Sequence, residues 1–197
     1  MQKLSECDFT VLDLEVSGGK LDSCGILEIG MVKIQNERIT DSFSSLVYSE
    51  YPIQHIVQKM TGISAETIKD SPPFSSLADT IAQFINSDIL IVHNSPFDIQ
   101  ILNVHMKKLG MARFTNSVLC TVKLGHLLAP EAENRKLETL AKHFNIDLKD
   151  RHRALGDAMA TAEIFLTYLK LLKEKGVETL SQLYFFMEKA NASSTPH

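Results

Sequence analysis

Apolar and polar positions along the first fifty residues predict three β-strands. Residues 8–16 carry apolar side chains on both faces of a period-two pattern, which is typical of a central strand buried on both sides. Two further β-rich runs, residues 25–34 and 39–48, are separated by the turn-like sequence QNER. The three segments together predict an antiparallel meander.

From about residue 52 the apolar spacing changes to that of short helices alternating with short strands. Strands are predicted at residues 88–93 and near 117–120, and helices at residues 64–69, 75–86, 135–144, 154–176 and 177–189. Another helix is predicted to start just after residue 93 and to reach Gly110, because Ser95 can cap it and Pro96 suits its first turn. Strands followed by alternating strands and helices predict an α/β fold with a mixed sheet flanked by helices.

Length and composition are those of one ordinary globular domain. The chain has 197 residues, of which 44% are hydrophobic and 22% charged, so we expect a packed core. We expect the domain to cover residues 1–176, with residues 177–197 forming an amphipathic helix packed on it and a short disordered tail. Without a membrane-length apolar stretch or a signal-peptide pattern, the chain is predicted to be cytoplasmic.

The cysteines and the net charge narrow the possible functions. The 3 cysteines are far apart and show no CxxC spacing, which argues against a disulfide framework or a zinc cluster. The net charge of −4 gives no general basic signature for nucleic-acid binding. Basic residues nevertheless cluster in two modest patches, namely Lys107, Lys108 and Arg113, and Lys149, Arg151 and Arg153.

Two carboxylates in the first strand form an unusual pair. Asp13 and Glu15 are two residues apart, so their side chains leave the same face of the strand, about 6–7 Å apart. At an effective dielectric constant near 20, like charges about 6 Å apart repel by roughly 3 kcal/mol. A cation would remove this repulsion, and carboxylate oxygens prefer hard ions such as Mg²⁺ or Mn²⁺. The alternative is that both residues lie at a strand end and meet solvent or a lysine.

Three more residues are candidates for the same site, each with a plain structural alternative. Asp98 can complete a capping box with Ser95, but it arrives beside Glu15 if its strand runs parallel to the first strand. Asp157 lies in a helix rich in small residues, which allow the helix to approach the sheet closely. It could therefore face the sheet and the site, and the alternative is that it faces solvent on the outer side of the helix. His152 precedes Asp157 by five residues and is expected in a loop, where it either accepts a proton from water or has only a surface role.

Three motifs in order strengthen this interpretation: VLDLEVSGG at residues 11–19, VHNSPFD at 92–98 and HRALGDA at 152–158. Together with the segments ILEIGMVKI, MTGIS and KLETLAKHFNI, they resemble the DnaQ-like, or DEDDh, exonuclease family. This family includes replicase proofreading subunits, RNase T and oligoribonuclease. The resemblance covers roughly residues 8–172, and the position of the histidine separates this branch from relatives that use a tyrosine.

The resemblance implies a fold and an activity. It implies a ribonuclease H-like fold with a five-stranded mixed sheet, and two Mg²⁺ or Mn²⁺ ions held by Asp13, Glu15, Asp98 and Asp157. His152 would be the general base of a 3′-to-5′ exonuclease that releases nucleoside monophosphates. The expected substrate is the 3′ end of single-stranded DNA, with RNA as the alternative and a catalytically silent binding or scaffold module as a third possibility. The C-terminal helix could also dock a polymerase or a second subunit, although packing on its own domain is the simpler expectation.

Residues around the motifs are candidates for binding the terminal nucleotide by the same resemblance. The first motif departs from the commonest family pattern, because Val16 and Ser17 replace two threonines and Val16 has no hydrogen-bonding side chain. Ile63 is either a wedge against the terminal base or a core residue. The full set of candidates is Leu14, Val16, Ser17, Gly18, Thr61, Gly62, Ile63, His93 and Asn94.

Overall fold

The computed structural model describes residues 2–94 and 97–193, which form a mixed sheet between two layers of helices. The strands are β1 (Phe9–Val16), β2 (Ile26–Gln35), β3 (Arg38–Leu46), β4 (Ile89–Val92) and β5 (Val118–Cys120). Their order is β3-β2-β1-β4-β5, with β1–β2 and β2–β3 antiparallel and β4 parallel to both β1 and β5. The predicted meander and the mixed five-stranded sheet are confirmed.

Eight α-helices are described: α1 (His55–Thr61), α2 (Ala65–Ile68), α3 (Phe74–Ile85), α4 (Phe97–Lys108), α5 (Thr121–Leu128), α6 (Leu137–His143), α7 (Ala154–Glu174) and α8 (Leu180–Ser193). The sequence did not predict α1 or α5. Both are short, and α5 contains Gly125, which lowers its helix propensity. The predicted cap by Ser95 and Pro96 lies outside the described residues. The tail was predicted at residues 191–197, but α8 continues to Ser193, and residues 194–197 lie outside the described residues.

The core lies on both faces of the sheet, as the pattern of β1 predicts. Val11 packs in the cluster that contains α7, whereas its neighbour Leu12 packs in the cluster that contains α3 and α4. Helix α8 joins the first cluster through Leu183, which is fully buried. The three cysteines form no disulfide. Among the described helices, none has the length and apolar character needed to cross a membrane.

The start of α7 lies unusually close to β2. A Cβ atom added to Gly30 would lie 2.2 Å from the carbonyl carbon of Ala154, so only glycine permits this approach. Two residues earlier in β2, the buried Glu28 accepts a hydrogen bond from the Ala154 N–H at 3.0 Å. Because Gly30 pairs with Asp13 and Glu28 with Glu15 across the β1–β2 ladder, these contacts hold α7 opposite the two predicted carboxylate ligands.

Candidate metal centre

Three of the predicted carboxylates meet at one point. Asp13 and Glu15 project from the same face of β1, and Asp157 lies in the first turn of α7. Each offers one oxygen, and these oxygens all lie within 4.8 Å of one another. The contacts of Glu28 and Gly30 with Ala154 produce this convergence, because Asp157 is one helical turn from Ala154.

Burial and mutual repulsion disfavour ionisation of these groups in the absence of a cation. Burial, followed by the charges of Asp98 and Asp157, raises the pKa of Asp13 well above its ordinary value. Burial, followed by the charges of Asp157 and Glu28, raises the pKa of Glu15 to about 7. The charge of Glu15, the neighbour on the strand, also raises the pKa of Asp13, but less than the charges of Asp98 and Asp157 from other elements.

Asp98 lies beside this group without being part of it. It is the second residue of α4 and half-buried, and burial raises its pKa to about 7. Its charge is the largest electrostatic influence on the pKa of Asp13 and a smaller one on that of Glu15. The predicted approach of Asp98 to β1 is thus observed, although its oxygens fall outside the group of three carboxylates defined by the 4.8 Å distance.

The two oxygens of Asp157 have different surroundings. Oδ2 accepts hydrogen bonds from the Arg151 guanidinium and, at 3.3 Å, from the main-chain N–H of His152. Oδ1 is buried and has no hydrogen-bond partner among the described residues. A buried carboxylate oxygen without a partner is costly, and a divalent ion would satisfy it. The donor set therefore fits a hard cation such as Mg²⁺ or Mn²⁺.

His152 lies in the loop before α7, as predicted, and is half-buried. Its φ of 63° is in the left-handed region, which is uncommon for a residue with a side chain. The sequence did not identify Arg151 as part of the site. Its position next to His152 was the only sequence feature that pointed to a role in the site. A basic residue in a polar loop is more simply interpreted as a surface residue.

The basic patch around this loop consists of ion pairs. Arg153 binds Glu28 through Nη2 and Oε1 at 2.6 Å, and Lys149 lies 3.5 Å from Asp147. The other predicted patch, Lys107, Lys108 and Arg113, lines a groove of about 530 Å³ between α4 and the short 3₁₀ turn at Leu21–Ser23.

Comparison with known proteins identifies the family. The family model described as "Exonuclease" matches residues 10–165. The chain belongs to the exonuclease family. It is also 38% identical over 178 residues to the PolC-type DNA polymerase III of Caldanaerobacter subterraneus subsp. tengcongensis, covering 90% of this chain and 13% of that polymerase. The chain thus spans about an eighth of the length of this curated relative.

Solved exonuclease structures share the fold. Exonuclease X in complex with 5′ overhanging duplex DNA superposes with a TM-score of 0.70 and 23% identity, covering 91% of this chain and 99% of that one. E. coli exonuclease I in complex with a dT13 oligonucleotide gives 0.76 and 15%, covering 85% of this chain and 42% of that one. The predicted DnaQ-like exonuclease with a ribonuclease H-like fold is confirmed.

Among the candidate nucleotide-binding residues of the first motif in this exonuclease, some are buried and others are half-buried. Leu14 is a core residue, and Val16 is half-buried against the same cluster. Ser17 is also buried, and its Oγ accepts a hydrogen bond from the Gly25 N–H at 2.9 Å. Gly18 has a φ of 83°, a left-handed conformation that favours glycine. These contacts fix the loop that follows β1.

The second group of candidates lies at the end of α1. Thr61 Oγ1 accepts a hydrogen bond from the Ile63 N–H at 3.0 Å across the left-handed Gly62. Ile63 is only 3% exposed and packs with two other buried residues, so the structure favours the core role that the sequence left open. On the same helix, the apolar side chains of Ile56 and Met60 lie one turn apart and are 58% and 51% exposed.

The remaining candidates follow β4. Nδ1 of His93 lies 2.8 Å from Thr121 Oγ1, so a hydrogen bond holds this ring against the first residue of α5. Burial, followed by the charge of Arg151, lowers the pKa of His93 to about 4, and the ring is therefore neutral at pH 7. Asn94 is exposed and has a φ of 70°.

The metal-free exonuclease is expected to lose stability as the pH rises from about 4 to about 7. Glu15 and Asp98 have pKa values raised to about 7, so the folded protein keeps protons that the unfolded chain has already released. These two carboxyl groups make the free energy of unfolding fall with rising pH through this window, and the lowered pKa of His93 offsets part of that fall. Denaturant titrations in EDTA across the window will show the decline, and saturating Mg²⁺ will reduce it.

Two variants check this pH dependence. Asp98→Asn, which cannot ionise, is expected to flatten the decline measured in EDTA. Asp79→Asn removes an exposed carboxylate on α3 and is expected to leave the decline of stability with pH unchanged. The same slope in wild type and Asp98→Asn would contradict the prediction.

Proposed function

We propose that this domain removes nucleoside monophosphates one at a time from the 3′ ends of single-stranded DNA. The observation that carries the proposal is the convergence of Asp13, Glu15 and Asp157 from two separate elements, with Asp98 beside them and one buried oxygen of Asp157 unpartnered. Family membership supports phosphodiester hydrolysis. DNA is favoured because the matched relative is named a DNA polymerase and both solved neighbours hold DNA.

Asp13, Glu15, Asp98 and Asp157 would hold two divalent cations, Mg²⁺ or Mn²⁺. When bound, such ions supply positive charge that activates the attacking water and stabilises the leaving 3′ oxygen. They also offset the phosphate charge, which explains how a chain with a net charge of −4 can bind a polyanion. The four carboxylates thus hold the ions and set the position of the scissile phosphate.

His152 would accept the proton of the attacking water. Histidine is the side chain most often used as a general base, because its imidazole can accept a proton from water near neutral pH. Its main-chain N–H contacts Asp157 Oδ2, so the loop that carries the imidazole is tied to the carboxylate cluster. The exposed Ile56 and Met60 on α1 would offer an apolar surface to the terminal bases.

The biological setting follows from the matched relative. Because the chain corresponds to 13% of a PolC-type DNA polymerase, we propose that it acts beside a DNA polymerase in the cytoplasm. Phe185 on α8 is 57% exposed, whereas Leu183, two residues earlier and on the opposite face of the helix, is buried in the domain. We therefore propose that α8 packs on its own domain through one face and that its outer face can bind a second protein.

Digestion of matched 5′-labelled DNA and RNA oligonucleotides tests the function directly. We expect Mg²⁺- or Mn²⁺-dependent ladders that shorten from the 3′ end, with DNA degraded faster than RNA. Faster degradation of RNA would assign the domain to exoribonucleases. If neither substrate is shortened with either ion, the proposal is wrong.

His152→Ala is expected to lower kcat by about 10²–10⁴-fold, the usual contribution of a general base. Mn²⁺ affinity should change little, because the His152 contact with Asp157 is made by the main chain. Single-turnover kinetics and Mn²⁺ titration measure the two effects separately. The exposed His55→Ala variant, outside the metal centre, is the matched control. Near wild-type activity of His152→Ala would rule out this base.

A further inference from the structure

Arg151 connects the metal centre to a helix that supplies none of the predicted ligands. Its guanidinium contacts Asp157 Oδ2, and its Nε donates to Oε1 of Glu138 on α6 at 3.1 Å. The Arg151 side chain is 31% exposed, whereas that of Asp157 is 5% exposed. A partly exposed arginine therefore reaches inward from an exposed anchor to a buried carboxylate.

The contacts on Asp157 are divided between its two oxygens. Oδ2 accepts from Arg151 and from the His152 main-chain N–H, whereas buried Oδ1 has no partner among the described residues. Two donors on one oxygen fix the rotation of the carboxylate group. They also join that carboxylate to two consecutive loop residues, through the side chain of Arg151 and the backbone of His152.

We propose that Arg151, anchored by Glu138, is a positioning residue of the metal centre. It holds Asp157 so that Oδ1 is directed to the cation, and it holds the loop that carries His152. The planar guanidinium suits this role, because its donors form a rigid fork that binds two carboxylates at once. The proposal deepens the proposed function and rests on the cation-binding role of Asp157.

A different role would give opposite results. If Arg151 only substituted for the cation, its guanidinium would compete with metal, and its removal would tighten metal binding. The contacts favour positioning, because Arg151 occupies Oδ2 and leaves Oδ1 available. Partners of metal ligands that act by orientation typically contribute about 10–100-fold in metal affinity or activity.

Mn²⁺ binding to the DNA-free protein, followed by electron paramagnetic resonance, tests the proposal without catalysis. Arg151→Lys keeps the charge but loses the fork, and we expect about 10-fold weaker Mn²⁺ binding. Arg151→Gln should weaken binding at least as much, and Glu138→Gln should give a smaller loss because Arg151 keeps its contact with Asp157. The matched control is Lys149→Gln, in the same loop but paired only with exposed Asp147. It should bind Mn²⁺ like the wild type.

Kinetics and thermal unfolding complete the test. At subsaturating Mn²⁺ we expect kcat to fall in Arg151→Lys while KM for the oligonucleotide stays constant. Tighter Mn²⁺ binding in Arg151→Gln would show competition and overturn the proposal. Unchanged Mn²⁺ affinity in the Arg151 variants would also overturn the proposal, even if those variants had a lower Tm or a higher KM. Absence of Mn²⁺ binding in the wild type would instead sink the proposed function itself.

Discussion

Asp13→Asn is expected to abolish exonuclease activity while it stabilises the metal-free protein. The pKa of Asp13 is raised well above its ordinary value by burial and then by the charges of Asp98, Asp157 and Glu15. An amide keeps the shape and removes the repulsion. It also removes a central predicted cation ligand, so activity should fall at least about a thousandfold, or about 4 kcal/mol of transition-state stabilisation.

The two effects of Asp13→Asn are measured separately. Oligonucleotide digestion at saturating Mg²⁺ gives the activity, and thermal unfolding in EDTA at pH 7 gives the stability. We expect the unfolding free energy to rise on the order of 1 kcal/mol, or about 2–4 °C in Tm. Asp79→Asn, an exposed acid on α3, should change neither quantity. Retention of a tenth of the activity, or a lower Tm in EDTA, would contradict the interpretation.

Gly30→Ala is expected to damage both the fold and the site. The added Cβ would lie 2.2 Å from the carbonyl carbon of Ala154 and 2.4 Å from its oxygen, and these backbone atoms cannot rotate away. The first turn of α7 must move, which would disturb the 3.0 Å hydrogen bond from Ala154 to Glu28 and shift Asp157 away from Asp13. We expect a loss of about 3 kcal/mol of stability. A displacement of about 1 Å at a reacting centre costs about a hundredfold in activity.

Leu183→Ala is the control that separates instability from loss of geometry. Leu183 is fully buried on α8, outside the metal centre, and truncation of a buried leucine costs about 2–5 kcal/mol. Denaturant titration will identify conditions in which both variants are folded. There, Leu183→Ala should retain activity and Mn²⁺ affinity, and Gly30→Ala should lose both. Equal activity in the two folded variants would show that the contact between Gly30 and α7 does not position the metal centre.

Strand β2 thus organises the site without carrying a predicted ligand. Its Gly30 and Glu28 are the cross-strand partners of Asp13 and Glu15. Glu28 also binds Arg153 and the Ala154 N–H, 126 residues along the chain from it. Because both contacts meet the same end of α7, they set the distance between the carboxylates of β1 and Asp157.

The sequence by itself determined the features that depend on neighbours along the chain. The period-two pattern of β1 placed Asp13 and Glu15 on one face, and in the folded protein the charge of Glu15 contributes to the raised pKa of Asp13. The spacing between His152 and Asp157 placed the histidine in a loop before α7. Local backbone geometry is set by adjacent residues, so a single segment was sufficient for each inference.

Only the tertiary structure decided features that depend on distant partners. Gly125 lies inside α5 because a Cβ there would approach the hydroxyl of Tyr168 to 2.7 Å, a contact that segment propensity cannot anticipate. From the sequence alone, Arg151 is most simply interpreted as a charged surface residue. The structure shows that it contacts both Glu138 and Asp157. Ile63 is buried while Met60 is exposed on the same short segment. These outcomes depend on how strands and helices pack, which the spacing of residues within one segment does not encode.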